Sequence, residues 1–273
     1  ITCRDWSSDV CSSDLIASFL ASVTGSISGI GGGVVIKPVL DSTGIFTVEL
    51  VSFLSGCTVL AMTLVSVSIN QADSKGERIQ TGTGTLLSVG AVAGGITGKW
   101  LFDIILDISG DGNLVGSVQS VILVIVTAGS LLYSVFSSKI RTMDVQSAVS
   151  KLLLGSMLGM VSSFLGIGGG PVHLTVLAFF FSMQPKKAAI HSLYIILLSQ
   201  TANIIITFAS ARVPQVDPLI LTLMILSGIS GGIIGRSLNK RMSQRSVGRL
   251  FQGLMLVIIG ICVYNFFGFL NAV

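Results

Sequence analysis

Charge is what this chain has least of. Its 273 residues carry 16 Lys+Arg and 12 Asp+Glu, 10% of the sequence, against about 25% in an ordinary globular domain. So few charges cannot cover the core of a soluble domain of this length. A soluble enzyme, a nucleic-acid-binding domain and a disordered chain are therefore excluded. The alternation of polar and apolar residues in units of roughly ten that marks an outer-membrane barrel is missing as well. Histidine occurs twice, at His173 and His191, and neither has a mate four residues away, so no HExxH zinc pair exists. Gly98-Lys99 is followed by Trp100 rather than Ser or Thr, which removes a Walker A loop and ATP hydrolysis within this chain. The four cysteines, Cys3, Cys11, Cys57 and Cys262, show neither metal spacing nor a disulfide framework. Cys57 and Cys262 lie in separate apolar segments and read as small buried hydrophobes. The sequence calls for no cofactor and no metal.

What remains is apolar and glycine-rich. Hydrophobic residues make up 51% of the chain and glycine contributes 32 residues, with a mean hydropathy of +0.89. Small residues let helices approach closely where lipid supplies no hydrophobic drive between them. This composition predicts an all-α polytopic protein of the bacterial plasma (inner) membrane. Residues Arg4–Leu15, RDWSSDVCSSDL, stand apart. They lack apolar periodicity and the regions of a signal peptide, and they resemble a translated sequencing adaptor. Residues 1–15 are set aside as a non-native segment, and the native sequence is placed from about Ile16.

The chain contains itself twice. GIGGG occurs at Gly29–Gly33 and at Gly166–Gly170, an offset of 137 residues. The same offset aligns Gly94-Gly95-Ile96-Thr97-Gly98-Lys99 with Gly231-Gly232-Ile233-Ile234-Gly235-Arg236, and Ser55 with Ser192. The reading is a duplicated module: repeat 1 over 16–136, a cytoplasmic linker at 137–151 and repeat 2 over 152–273, in one membrane domain. Apolar segments fall at about 16–40, 47–69, 82–105 and 114–136, and again at about 152–181, 188–210, 217–238 and 250–270. The first segment of each set is interrupted by GIGGG, and glycine is a poor interior helix residue.

Charge selects the topology. Eight plain crossings divide the basic residues 6 to 9 between the two sides, which is no orientation signal. If each GIGGG segment enters and leaves on one face, the division becomes 12 to 3, with only Lys37, Lys99 and Arg212 outside. The positive-inside rule prefers this arrangement. Each half then has a broken or re-entrant GIGGG helix plus three transmembrane helices, and an odd number of crossings gives the halves opposite orientations. Inverted repeats of this kind bind substrate near the midplane.

These residues resemble the TauE/SafE family of sulfite and organosulfonate exporters. The resemblance runs through Gly29–Gly33 with Pro38, Ser52–Ser55, Lys75-Gly76-Glu77-Arg78 and Gly90–Gly98. In the second copy it runs through Gly166–Gly170 with Pro171, Ala188–Ser192 and Gly228–Gly235 followed by Lys240 and Arg241. It covers about residues 16–270. The second-half proline directly follows its glycines, whereas the first-half one stands five residues on. The resemblance implies a secondary transporter, an exporter of small sulfur-containing or carboxylate anions.

The chemistry agrees with that implication. Glycine runs expose backbone N–H groups, and a broken helix aims the positive end of its dipole at a ligand. The candidate substrate site is Gly29, Gly31, Gly32, Gly33, Gly166, Gly168, Gly169 and Gly170, with Ser55 and Ser192 as hydroxyl donors. Close helix packing is the alternative reading of the glycines, and bonding back to their own helix that of the serines. His173 and His191 are candidates for a proton relay if export is proton-coupled; His191, near the cytoplasmic end, reads first as solvated. Gln200 and Asn203 share a helix face and read either as interhelical bonds or as pore lining. Lys99 and Arg236 read as snorkelling side chains, or as a gate that attracts anions. The expected partners are a small anion, the lipid bilayer and a coupling proton. An anion channel and an intramembrane enzyme remain as alternatives. Against the enzyme, Phe53 occupies the place before Ser55 where a Gly-x-Ser nucleophile motif needs glycine.

Overall fold

The computed structural model describes residues 8–72, 81–110, 112–137, 139–211 and 213–272. Lys75, Arg78 and Arg212 of the charge count lie outside the described residues, as does the start of the adaptor-like segment. Among the described residues there are ten helices and no strand. They are α1 (Ser8–Ser28), α2 (Gly33–Ser42), α3 (Val48–Ala72), α4 (Thr81–Ser109), α5 (Gly112–Phe136), α6 (Ala148–Phe164), α7 (Pro171–Phe181), α8 (Pro185–Ala209), α9 (Pro218–Arg241) and α10 (Gln244–Ala272). Helix α1 thus begins inside the segment that the sequence reading set aside.

Local chemistry sets the helix ends. Prolines 171, 185 and 218 open α7, α8 and α9, where the missing N–H would be unpaired anyway. Asp217 caps α9 by accepting the Leu219 N–H at 2.8 Å. Six helices, those from α3, α4, α5, α8, α9 and α10, have apolar spans of 24–28 residues. At about 1.5 Å per residue that exceeds the ~30 Å hydrocarbon core. Helices α2 and α7, of 10 and 11 residues, reach only about half that depth.

The 137-residue offset reappears in the helix boundaries. Adding 137 to the ends of α3 gives both ends of α8, and adding it to the start of α4 gives the start of α9. Packing follows the same shift. Helix α4 lies along α6 of the other half, and α1 along α9. Glycine makes both contacts close. A Cβ at Gly94 would fall on the Ser156 carbonyl and one at Gly98 on the Met160 carbonyl. Their mates Gly231 and Gly235 would meet the Phe19 and Val23 carbonyls. This is the small-residue packing of membrane helices.

The two pairs of mates that meet across the centre run antiparallel. On α3 and α8, Phe53 stacks edge-on against Phe208 at 6.3 Å, and a Cβ at Gly56 would sit 3.5 Å from Gln200. On α5 and α10, Gly116 faces Phe269, while Gln252 donates to Ser134 at 3.1 Å. Large apolar side chains such as Trp100, Ile125, Leu153 and Tyr264 point outward, as expected of a surface that meets lipid.

Candidate functional site

The glycine runs break their helices in the same way. Positive φ appears at Gly29 (80°) and Gly31 (85°), and at their mates Gly166 (66°) and Gly168 (69°). Side-chain-bearing residues avoid that region. Not every glycine of the runs needs that freedom: Gly32 is the N-cap of α2 with φ −61°, and Gly169 is not among the positive-φ glycines either. At Gly169 the constraint is steric, because a Cβ would press into the Ile196 side chain and lie 3.0 Å from the Ile30 carbonyl.

The two loops meet. A Cβ at Gly33 would fall on the Ile167 carbonyl, and the Gly169–Ile30 approach brings the loops together from the other side. Ile30 and Ile167 are 1% and 2% exposed. Among the described residues, no backbone bond engages the N–H groups of Ile30–Gly32 or of Gly168–Gly170. Helices α2 and α7 start at this junction. It therefore gathers two positive dipole ends and two strings of unengaged N–H groups.

The serines and histidines divide. Ser55 and Ser192 are both fully buried, and neither hydroxyl has a partner. Ser55 Oγ lies 2.9 Å from the place a Gly33 Cβ would take, so it faces the junction. His173, in the first turn of α7, is 1% exposed and both of its ring nitrogens are unpartnered. His191 is not solvated, contrary to that reading of the sequence. Helix α8 begins at Pro185 and carries His191 into the packed interior, where it is 0% exposed and donates from Nδ1 to the Lys187 carbonyl at 2.9 Å.

A cavity of about 360 Å³ leads to the second loop. It is lined by Ser163, Gly166, Ser52, Gly56, Gln200, Asn203, Lys99 and Asp103; the buried Gly166 and Ser163 form its floor, and the exposed Asp107 and Val213 mark its mouth. Lys99 pairs with Asp103 at 2.8 Å, with both side chains 17% exposed. Asn203 Oδ1 has no partner. Behind the floor, Lys37 pairs with Asp41 at 3.2 Å, with side chains only 4% and 7% exposed. Lys37 Cε is 3.6 Å from the place a Gly166 Cβ would take.

The profile of the family described as Sulfite exporter TauE/SafE matches residues 15–262. The chain belongs to that family. Over 268 residues it is 22% identical to the "Probable membrane transporter protein YunE" of Bacillus subtilis (strain 168), covering 90% of this chain and 94% of that relative. No solved structure matches. As a TauE/SafE protein it is a membrane transporter, multi-pass in the plasma membrane.

Within this TauE/SafE chain, the structure brings both glycine loops and Ser55 together. Ser192 and His191 are buried on α8 but do not line the cavity. Gln200 and Asn203, which the sequence left between two readings, do line it. The reading missed Lys37 and Asp41 as site residues. In the charge division Lys37 serves only as one of three external charges, near the end of the segment 16–40. The available signal was their i, i+4 spacing directly after GIGGG: ionisable residues held at membrane depth are expensive and usually functional.

Proposed function

We propose that the chain is a secondary transporter that exports small sulfur-containing or organic anions, such as sulfite or sulfonates, across the plasma membrane. Its halves act as inverted repeats, and the anion sits where the two glycine loops meet. What supports the inversion is that α3 and α8, equivalent under the 137-residue shift, run antiparallel. A two-fold axis relating antiparallel spans lies in the membrane plane. In the orientation set by the positive-inside rule, the 360 Å³ cavity opens to the outside.

The observation that carries the anion reading is the junction itself. An oxyanion needs several donors that converge. Free N–H groups on both loops, two helix N-termini and the Ser55 hydroxyl supply them without a full buried counter-charge. Lys37, held beside Gly166 by Asp41, adds positive potential from behind the floor. Such a site binds through many partial charges and releases readily, as transport requires. If export is proton-coupled, His173 is the candidate carrier, with both ring nitrogens unpartnered.

The test is flux into liposomes containing the purified chain, with sulfite, thiosulfate, sulfoacetate and acetate, each with and without a pH gradient. Sulfite or sulfonate exchange well above empty liposomes is expected, and the pH gradient should change its rate. Unselective conductance without exchange would instead favour a channel, and no flux with any of the four would remove the proposal.

A further inference from the structure

Among the described residues, polar positions that line the cavity have polar mates that are packed shut. Four positions that line it, Lys99, Ser163, Asn203 and Thr207, correspond under the 137-residue shift to Arg236, Ser26, Ser66 and Asn70. Arg236 and Ser66 are 4% and 1% exposed where Lys99 and Asn203 are half-buried, and Ser26 and Asn70 are 1% and 4% exposed against 5% and 8% for Ser163 and Thr207. The mates are also bonded to one another across three helices. Ser26 of α1 and Ser66 of α3 share a hydrogen bond at 2.9 Å, and Ser26 also donates to the Gly232 carbonyl of α9 at 3.2 Å. Arg236 of α9 donates to Asn70 of α3 and, at 3.3 Å, to Asn239. Asn239 in turn donates to the Ile27 carbonyl of α1 at 2.6 Å, beside the first glycine loop.

We propose that this cluster is a second anion-receiving vestibule, on the cytoplasmic side, held shut in this state, with Arg236 as its cation. The inference rests on the transport reading above. When α1, α3 and α9 part, Arg236 exchanges the Asn70 and Asn239 oxygens for the oxyanion. Its planar fork suits two oxygens of a sulfonate, sulfite or carboxylate. The polar side chains that now bond to each other then face water, as Ser163, Asn203 and Thr207 face the open cavity. The asymmetry between the mates is thus the difference between the two access states of one site. Burying an arginine this deep is explained by its use in the other state. Snorkelling, one reading of the sequence, does not describe a side chain 4% exposed.

The experiment uses a chain in which Cys3, Cys11, Cys57 and Cys262 are replaced by serine. Ser26→Cys and Ser66→Cys are added together, and sulfite flux is measured in liposomes. Oxidation should link the pair and cut flux at least tenfold, and a thiol reductant should restore it. A linked pair with unchanged flux overturns the proposal. So does failure of the pair to link in protein that still transports. A second arm needs no transport. Ser66→Cys alone should resist a membrane-impermeant maleimide applied from the cytoplasmic face. It should react at least tenfold faster when Arg236→Ala, or separately Asn70→Ala, breaks the network. Equal rates with and without these changes also overturn it. A cysteine-free parent that moves no sulfite fails the transport reading, and the labelling arm still judges the vestibule.

Discussion

Gly166→Ala is expected to cut anion flux at least tenfold while the protein still inserts, whereas Gly32→Ala should lose less than about threefold. Both changes add one methyl group to a GIGGG loop, and the difference lies in the backbone. Gly166 has φ 66°, and a side chain there costs roughly 1–2 kcal/mol, a factor of about 5–30 in an equilibrium. Its Cβ would also lie 2.5 Å from Ser52 Oγ, on the floor of the cavity. Gly32 has φ −61°, and its Cβ would approach nothing closer than the Ala21 carbonyl oxygen and Ser22 Cα at 3.3 Å. Flux per unit of reconstituted protein, with insertion checked by membrane yield, separates the two. Equal losses would mean that the loop's shape does not set the site.

The second large effect concerns Lys37 and Asp41. Removing one member of a buried ion pair strands the other charge and costs about 3–5 kcal/mol, whereas replacing both by apolar residues is often neutral. Lys37→Met and Asp41→Leu alone should therefore each sharply lower the yield of folded protein, and the double variant should recover it. Flux then distinguishes a structural pair from one that serves the anion. With the cation beside Gly166 gone, the refolded double variant should transport at least tenfold more slowly. Full flux in the double variant would leave the pair as structure only.

Much of the helical frame could be read from the residues. A run of four glycines in five positions does not continue a helix, and α1 and α6 do end at Ser28 and Phe164. The apolar segments became helices within a few residues of their expected limits. The exceptions are α1, which starts at Ser8 rather than near Ile16, and α10, which starts at Gln244 because Arg245 and Arg249 are good helix formers that hydropathy discounts. Which glycines take positive φ was not legible, because GIGGG offers five nearly equivalent positions and tertiary packing chooses among them. Burial of His191 and Arg236 was not legible either. Both depend on which helices of the other half pack against them, and a pattern within one helix carries no such information. That α3 packs against α8 belongs to the same class, whereas opposite directions for the two were an expectation of the charge division.

The central claim is that the anion rests between the two glycine loops. The most direct measurement is a crystal structure of the chain soaked with selenite, a sulfite analogue whose selenium scatters anomalously. The account predicts one strong selenium peak within hydrogen-bond reach of the Gly166–Gly170 backbone and of Ser55, at the base of the cavity that Gln200 and Asn203 line. Selenium bound only at Lys99 near the mouth, with none at the loops, would contradict it.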